Sequence, residues 1–572
     1  MSHRILPFPA APAWLRRSPG ILLFLLTACL ASRGAEPNYN EVIRKLGAAI
    51  TEELKAGHIT GISIALVDDQ RLIAAEGYGY ADRDGKVPAT SNTVYRAGSI
   101  SKLFTALATM QFAEDGHIDI DAPVTRYLPA LGVVNPFGDG ELYSLRQLMC
   151  HRSGMIRESP VGSYFDGSEP SVQETVDSLA GCILIHPPGS RTKYSNSGVT
   201  VVGHVVAQVA GRPFEDHLRE RVLDRLGMRR SGFVLTKELR AGLAQGYMDV
   251  ADGEGGFRTI EAPLFQLGTL PAGNLYSTAP DLARFLSCLF ARGRAGSEVL
   301  VQPETLDQMF APQLTTNQSG FGLGFFVGEH RGRKTFRHTG AVYGFSASLT
   351  GLSEEKIGVI LLNNDDLAIG PVRRLNELAL DLMIEAKLGA APPEPVPTVS
   401  VEAKALEAMA GSYESESFHA DVQPAEGGLR ANVSFEHYDL RPVGEDRFLG
   451  SARLAHDAPF QFVRDDDGTV TGFTALGQTF TRVGEEPEPS PYWQRLLGAY
   501  GHDYIPVIVT IRHGHLYASI ENEFDYRLHP VTRNIYRMSP GMYSDEFLEF
   551  VVDGQGRVQA LVLANMYLRK FR

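Results

Sequence analysis

The segment RAGSISKLFTALATM, residues 96–110, places Ser99 three residues before Lys102 at the start of an apolar helical pattern. Residues three apart share a helix face, so the Lys102 amine can reach the Ser99 oxygen. Leu103, Phe104 and Leu107 would desolvate that amine and lower its pKa, which a general base needs near neutral pH. The helix dipole and first-turn N–H groups favour negative charge developing at the same end. The chemistry so indicated is nucleophilic attack by a serine with a lysine as base. A capping serine beside a snorkelling lysine has the same spelling, and the residues alone leave that alternative open.

The spacing recurs at Ser190–Lys193 and Ser353–Lys356. The second pair sits between strand-like runs and reads as an exposed turn. The first follows HPPG and reads as a loop. Only Ser99 opens an apolar helix.

The elements that must position it alternate along the first part of the chain. SKLFTALATMQFAEDG and GVTVVGHVVAQVAG carry helical periodicity, whereas GISIALVDD, RLIAAEGYGYAD and IGVILLNN read as strands. AAPPEPVPT (390–398) and EEPEPSP (485–491) are Pro-rich and acidic, without periodicity, and read as linkers. The expected organisation is a leader over 1–35, a mixed α and β domain over 36–389, a linker at 390–400, a β module at 401–484, a second linker at 485–491 and a second β module at 492–572. The two modules are similar to each other. MAGSYES opens one and LLGAYGH the other, and Gly411 pairs with Gly498, Gly468 with Gly556 and Val470 with Val558. Short alternating runs in a duplicated unit predict two small antiparallel barrels, lipocalin-like in type.

Composition limits the partners. A formal charge of −13 over 572 residues, with no long basic run, argues against nucleic acid or an anionic membrane surface and favours a small-molecule or peptide substrate. Arg16 and Arg17 precede ILLFLLTACLA, too short to span a bilayer, which predicts export. Leu26, Thr27, Ala28 and Cys29 resemble the bacterial lipobox, which implies lipidation of Cys29 and a periplasmic or outer-membrane lipoprotein. Cleavage near Ala31 or Ala35 is the alternative. Cys150, Cys182 and Cys288 remain, so this is no disulfide framework, although a Cys150–Cys182 bridge is an option in an oxidising compartment. No phosphate loop, dinucleotide fingerprint or metal-ligand spacing occurs, and no cofactor is expected. His513 and His515 alternate along what reads as one strand with no third ligand, so a metal is not expected there.

TKYSNSG (192–198) and RHTGAVYGF (337–345), in this order after SISK, resemble the three motifs of the penicillin-recognising serine hydrolases: class C β-lactamases, DD-peptidases, D-aminopeptidases and related esterases. LRQLMCHRSGM, AGNLYSTAPDLARFL and FGLGFFV extend the likeness across nearly the whole first domain. The resemblance implies an antiparallel sheet with flanking helices and an added helical region. It implies an acyl-enzyme on Ser99, with Lys102 or Tyr194 taking the proton, Asn196 holding Lys102 and a substrate carbonyl, and His338, Thr339 and Gly340 lining the substrate site. Backbone N–H groups of Ser99 and Ala341 would form the oxyanion hole.

Where class C β-lactamases carry lysine this chain has His338, a partly charged group near neutral pH, which predicts poor β-lactamase activity and pH-dependent carboxylate recognition. D-aminopeptidases of this resemblance also carry two barrels, so a peptide or amide substrate, such as one containing D-amino acids or a cell-wall peptide, is expected. A barrel loop over the site would restrict its size. An esterase is the near alternative, and a non-catalytic lipoprotein binding cell-wall ligands is the alternative of another class. His151 reads as part of a structural turn, and Asp281 as a first-turn residue capped by Ser277 or Thr278.

Overall fold

The computed structural model describes residues 37–138, 141–251, 257–315 and 317–571. The leader and Cys29 lie outside the described residues. Eight antiparallel strands form the main sheet: β1 (Gly61–Asp68), β2 (Arg71–Asp82), β3 (Val87–Pro88), β4 (Gly320–Phe321), β5 (Phe326–His330), β6 (Arg333–Val342), β7 (Phe345–Leu352) and β8 (Ile357–Asn363). Their spatial order is β4-β5-β6-β7-β8-β1-β2-β3. The two ends of the domain therefore meet at the β8–β1 pair, in register from Ile62 opposite Asn363 to Asp68 opposite Ile357.

Strands β1, β7 and β8 are buried at every position, because both sheet faces are covered. On one face Ile62, Ile64 and Leu66 join Leu46 and Ile50 of α1 (Tyr39–Lys55) and Leu375 and Leu382 of the C-terminal helix of the domain, Ile369–Leu388. On the other, Ala65 and Val67 share a core with α2 (Ser101–Glu114), α3 (Asn196–Ala210) and α4 (Ala279–Phe290). The helix after Ser99 is enclosed around its whole circumference, and every residue from Ser101 to Gln111 is buried. Thr278 caps α4 by accepting from the Asp281 N–H.

Residues 390–402 lack regular structure. Beyond them, Gly411–Glu414 to Gln478–Arg482 are the first and last strands of a closed eight-stranded barrel, joined at Tyr413 opposite Arg482. A second eight-stranded sheet runs from Gly498–His502 to Met566–Arg569, its ends meeting at a bridge between Tyr500 and Lys570. The duplication is visible atom by atom. Gly411 and Gly498 open the first strand of each unit, and Val470 and Val558 open the seventh. The Tyr413 hydroxyl donates to the Met409 carbonyl and the Tyr500 hydroxyl to the Leu496 carbonyl, each at 2.6 Å and four residues back. His513 is not on a strand: it lies in the turn between Ile505–Arg512 and His515–Ile520, at φ +45°. The Cys150–Cys182 bridge does not form, and Cys150, Cys182 and Cys288 are free and buried.

Phe285 of α4 stacks on Phe104 of α2 with ring centroids 4.3 Å apart, and both are fully buried. Phe285→Ala is expected to lower stability by about 3–5 kcal/mol, measured as a fall in the urea midpoint, because the cavity opens against the helix that carries Lys102.

Candidate active site

Ser99 occupies a single 3₁₀ turn, Gly98–Ile100, that runs directly into α2. No side chain caps this helix start, which removes the capping reading of Ser99. Its Oγ instead accepts two hydrogen bonds, from Lys102 Nζ at 2.9 Å and from the Tyr194 hydroxyl at 2.8 Å. Lys102 spends a second proton on the Ala272 carbonyl, 2.8 Å away.

Two glycines let the third motif approach. Gly98 adopts φ +53°, and a Cβ there would lie 2.8 Å from the Ala341 nitrogen. A Cβ on Gly340 would lie 2.1 Å from the Ala97 carbonyl and 3.3 Å from the Ser99 nitrogen. Any side chain at either position would push β6 off the serine turn. The Ser99 and Ala341 backbone nitrogens thus stand on two closely apposed segments, the serine turn and β6.

Tyr194 is held from behind. Ser195 caps α3 by accepting from the Gly198 N–H at 2.8 Å. His151, at φ +58°, stacks on the Tyr194 ring at 4.2 Å, and its Nδ1 accepts from the Ser195 N–H at 3.2 Å. Asn196 departs from expectation. Its amide nitrogen is committed to the buried carboxylate of Glu158, and among the described residues no hydrogen bond joins it to Lys102.

Desolvation dominates the electrostatics. Burial pushes the Lys102 pKa well below the ordinary lysine range, with Glu158 opposing and Arg157 adding to the shift. Burial pushes Tyr194 far up, so the phenol keeps its proton. Burial and the neighbouring Lys102 lower His338 to about 3. The shift disfavours the partial charge expected of His338, although the contact of its Nδ1 with the Thr339 carbonyl at 2.5 Å pulls the other way. Burial raises Glu158 to about 7 against the pull of Arg157.

The residues that sequence reasoning missed come mostly from the second barrel. A cleft of about 600 Å³ is lined by Ser99, Tyr194, Asn196, His338, Thr339 and Gly340, and also by Asp366, Glu521, Glu523 and Met542. Glu521 lies 3.6 Å from Arg157 and accepts from the Tyr543 hydroxyl at 2.6 Å. Burial raises Asp366 and Glu523 to about 7, with Glu521 adding to both shifts. The segment 541–546 clamps the motif loop. Lys193 Nζ pairs with Glu546 at 2.7 Å and donates to the Ser544 carbonyl at 3.0 Å, and Glu546 accepts from the Arg157 N–H at 3.1 Å. Lys193, inside the quoted TKYSNSG, was the only sequence signal for this contact.

A family model described as Beta-lactamase matches residues 46–383. The chain is 29% identical over 380 residues to a human protein named beta-lactamase-like 1, covering 62% of this chain and 73% of that one. Its fold is similar to an octameric penicillin-binding protein homologue from Pyrococcus abyssi, with TM-score 0.55, 22% identity, and coverage of 85% of this chain and 99% of the other. It is also similar to the D-amino acid amidase of Ochrobactrum anthropi SV3 in complex with L-phenylalanine amide, with TM-score 0.50, 25% identity, and coverage of 60% and 99%.

Two outcomes are expected. Lys193 and Glu546 are almost fully buried, so Glu546→Ala strands a charge and should cost about 3–5 kcal/mol, read as a lower thermal midpoint. For Lys102 the folded pKa lies below the unfolded value of about 10.4, so between the two the unfolded chain binds the extra proton and stability rises with pH. Lys102→Met removes this dependence. Its stability relative to wild type should improve as pH falls from 10 to 8, measured as guanidinium midpoints at both values.

Proposed function

This chain belongs to the Beta-lactamase family, and we propose that it is a serine hydrolase that acylates Ser99 and acts on small amides or peptides bearing a free amino group. The observation that carries the reading is the pair of hydrogen bonds converging on Ser99 Oγ from Lys102 and Tyr194. A neutral amine and a protonated phenol have unequal roles. For attack, the Ser99–Lys102 hydrogen bond reverses so that the Ser99 hydroxyl donates to the Nζ lone pair, and Lys102 takes the proton as Oγ attacks the carbonyl carbon, while the Ser99 and Ala341 N–H groups receive the oxyanion. Collapse of the tetrahedral intermediate needs a proton on the leaving nitrogen, which Tyr194 donates and regains from the Lys102 ammonium. Water then attacks the ester with Lys102 again as base, releasing the acid and free Ser99.

The acidic lining of the cleft supports the substrate class. Asp366, Glu521 and Glu523 line the cleft together with Arg157, and burial raises Asp366 and Glu523 against the pull of Arg453 and, for Glu523, of Arg157, so a further cation would favour their charged forms. A substrate ammonium supplies that cation. The similarity to a D-amino acid amidase supports an amide and includes D-configured residues among the candidates. A neutral His338 offers no fixed charge for a β-lactam carboxylate, which supports weak β-lactamase activity. The leader supports action outside the cytoplasm, with attachment to a membrane through Cys29.

Release of ammonia from D- and L-phenylalanine amide tests the reading, with N-acetylated amides, p-nitrophenyl acetate and penicillin in parallel. The expected result is turnover of a free-amino amide, lost in Ser99→Ala, with the acetylated analogue at least tenfold slower and Glu523→Gln raising KM only for the free amine. Unchanged turnover in Ser99→Ala would overturn the mechanism, and equal rates on acetylated amides would overturn the substrate class.

A further inference from the structure

Far from Ser99, the two barrels meet at a cluster of histidines and carboxylates that the reaction does not use. His419 opens the strand His419–Ala425 of the first barrel, and Asp421, two residues on, shares its strand face. His513 reaches them from the second barrel, in a turn that is itself fixed: a Cβ on Gly514 would lie 2.0 Å from the Pro487 carbonyl. One donor atom from each of His419, Asp421 and His513 lies within 4.8 Å of the other two.

The surroundings prepare both imidazoles as ligands. Asp525, 1% exposed, stands 3.1 Å from His419 Nε2 and, having no proton to give, accepts the Nε2–H. His419 Nδ1 is then left with a lone pair, buried and, among the described residues, without a hydrogen-bond partner. A buried polar atom in that state costs about 1–3 kcal/mol. Glu486 of the linker stands 3.1 Å from His513 Nδ1, which leaves Nε2 free. A carboxylate behind each metal-facing histidine is the usual outer-shell arrangement of zinc sites. Ser412 donates to one oxygen of Asp421 at 2.6 Å, leaving the other free. His515, which the sequence paired with His513, turns away to Arg527 at 2.8 Å and Glu414 at 3.5 Å.

We propose that His419, His513 and Asp421 bind one divalent transition-metal ion of the zinc class and that the ion cross-links the two barrels. Two neutral imidazole nitrogens and one carboxylate suit zinc, whereas calcium and magnesium ask for an oxygen cage. Bonds of about 2 Å put tetrahedral ligand atoms about 3.3 Å apart, so the donors draw in by roughly 1 Å, a rotation open to the exposed Asp421 side chain. A water completes the shell on the Asp421 side. The positive charge of Arg527 nearby is offset by Glu414, 3.5 Å away.

The test is calorimetric titration of the full-length, tag-free, chelator-treated protein with zinc chloride, with visible spectra of the cobalt(II) form alongside. One equivalent of zinc, a thermal midpoint that rises with zinc concentration and four-coordinate cobalt bands are expected. His513→Asn, which suits the positive φ, and Asp421→Asn should each weaken binding at least tenfold, while His515→Gln binds as wild type does. No saturable binding to the wild-type protein, or equal affinity in His513→Asn and Asp421→Asn, would overturn the proposal.

Discussion

The constraint on which the rest of the structure depends is the burial of one amine beside one hydroxyl. An ammonium at the Lys102 position costs more than a neutral amine because α2 is enclosed on every side. The enclosure comes from elements distant in sequence: α3 and α4, the Pro271–Ala272 turn that receives hydrogen bonds from Thr105 and Lys102, and β6, admitted by Gly98 and Gly340. The hydrophobic packing that stabilises the domain is therefore also what tunes the base. Loosening any of these contacts admits water, and water restores the charge.

The second barrel belongs to the same arrangement. It contributes to a hydrophobic core continuous with that of the hydrolase domain, and its Glu546 neutralises Lys193 one residue before Tyr194. Glu521 counters Arg157, whose guanidinium lies 5.6 Å from the centre of the Tyr194 ring. Without those carboxylates, two buried cations would flank the tyrosine, and the balance between phenol and amine would shift. The barrel thus supplies one wall of the cleft and part of its charge.

The first barrel meets the hydrolase domain where the Arg453 carbonyl accepts from the Gly370 N–H at 2.7 Å, and it also packs on the second barrel. Phe418 packs on Phe524 at 5.0 Å, Ser417 accepts from the Arg527 N–H, and the Arg453 guanidinium donates to the Asn522 carbonyl next to Glu521 and Glu523. Order in that segment is shared between the two barrels. A cross-link at His419 and His513 would act on the same interface from its other end.

What the sequence determined by itself was local or repetitive. The helix after Ser99, the three motifs in their order and the duplication anchored at Gly411 and Gly498 were legible because each is written in periodicity, turn residues or spacing within a short window. The tertiary structure alone decided which group carries a proton and which residue meets which. Burial pushes the Lys102 pKa down and the Tyr194 pKa up, the charged form of His338 is disfavoured, Asn196 turns to Glu158, and Glu546 and His513 find partners in other domains. Protonation follows from desolvation and nearby charge, and both are set by atoms hundreds of residues away along the chain. No spacing rule within a segment encodes them.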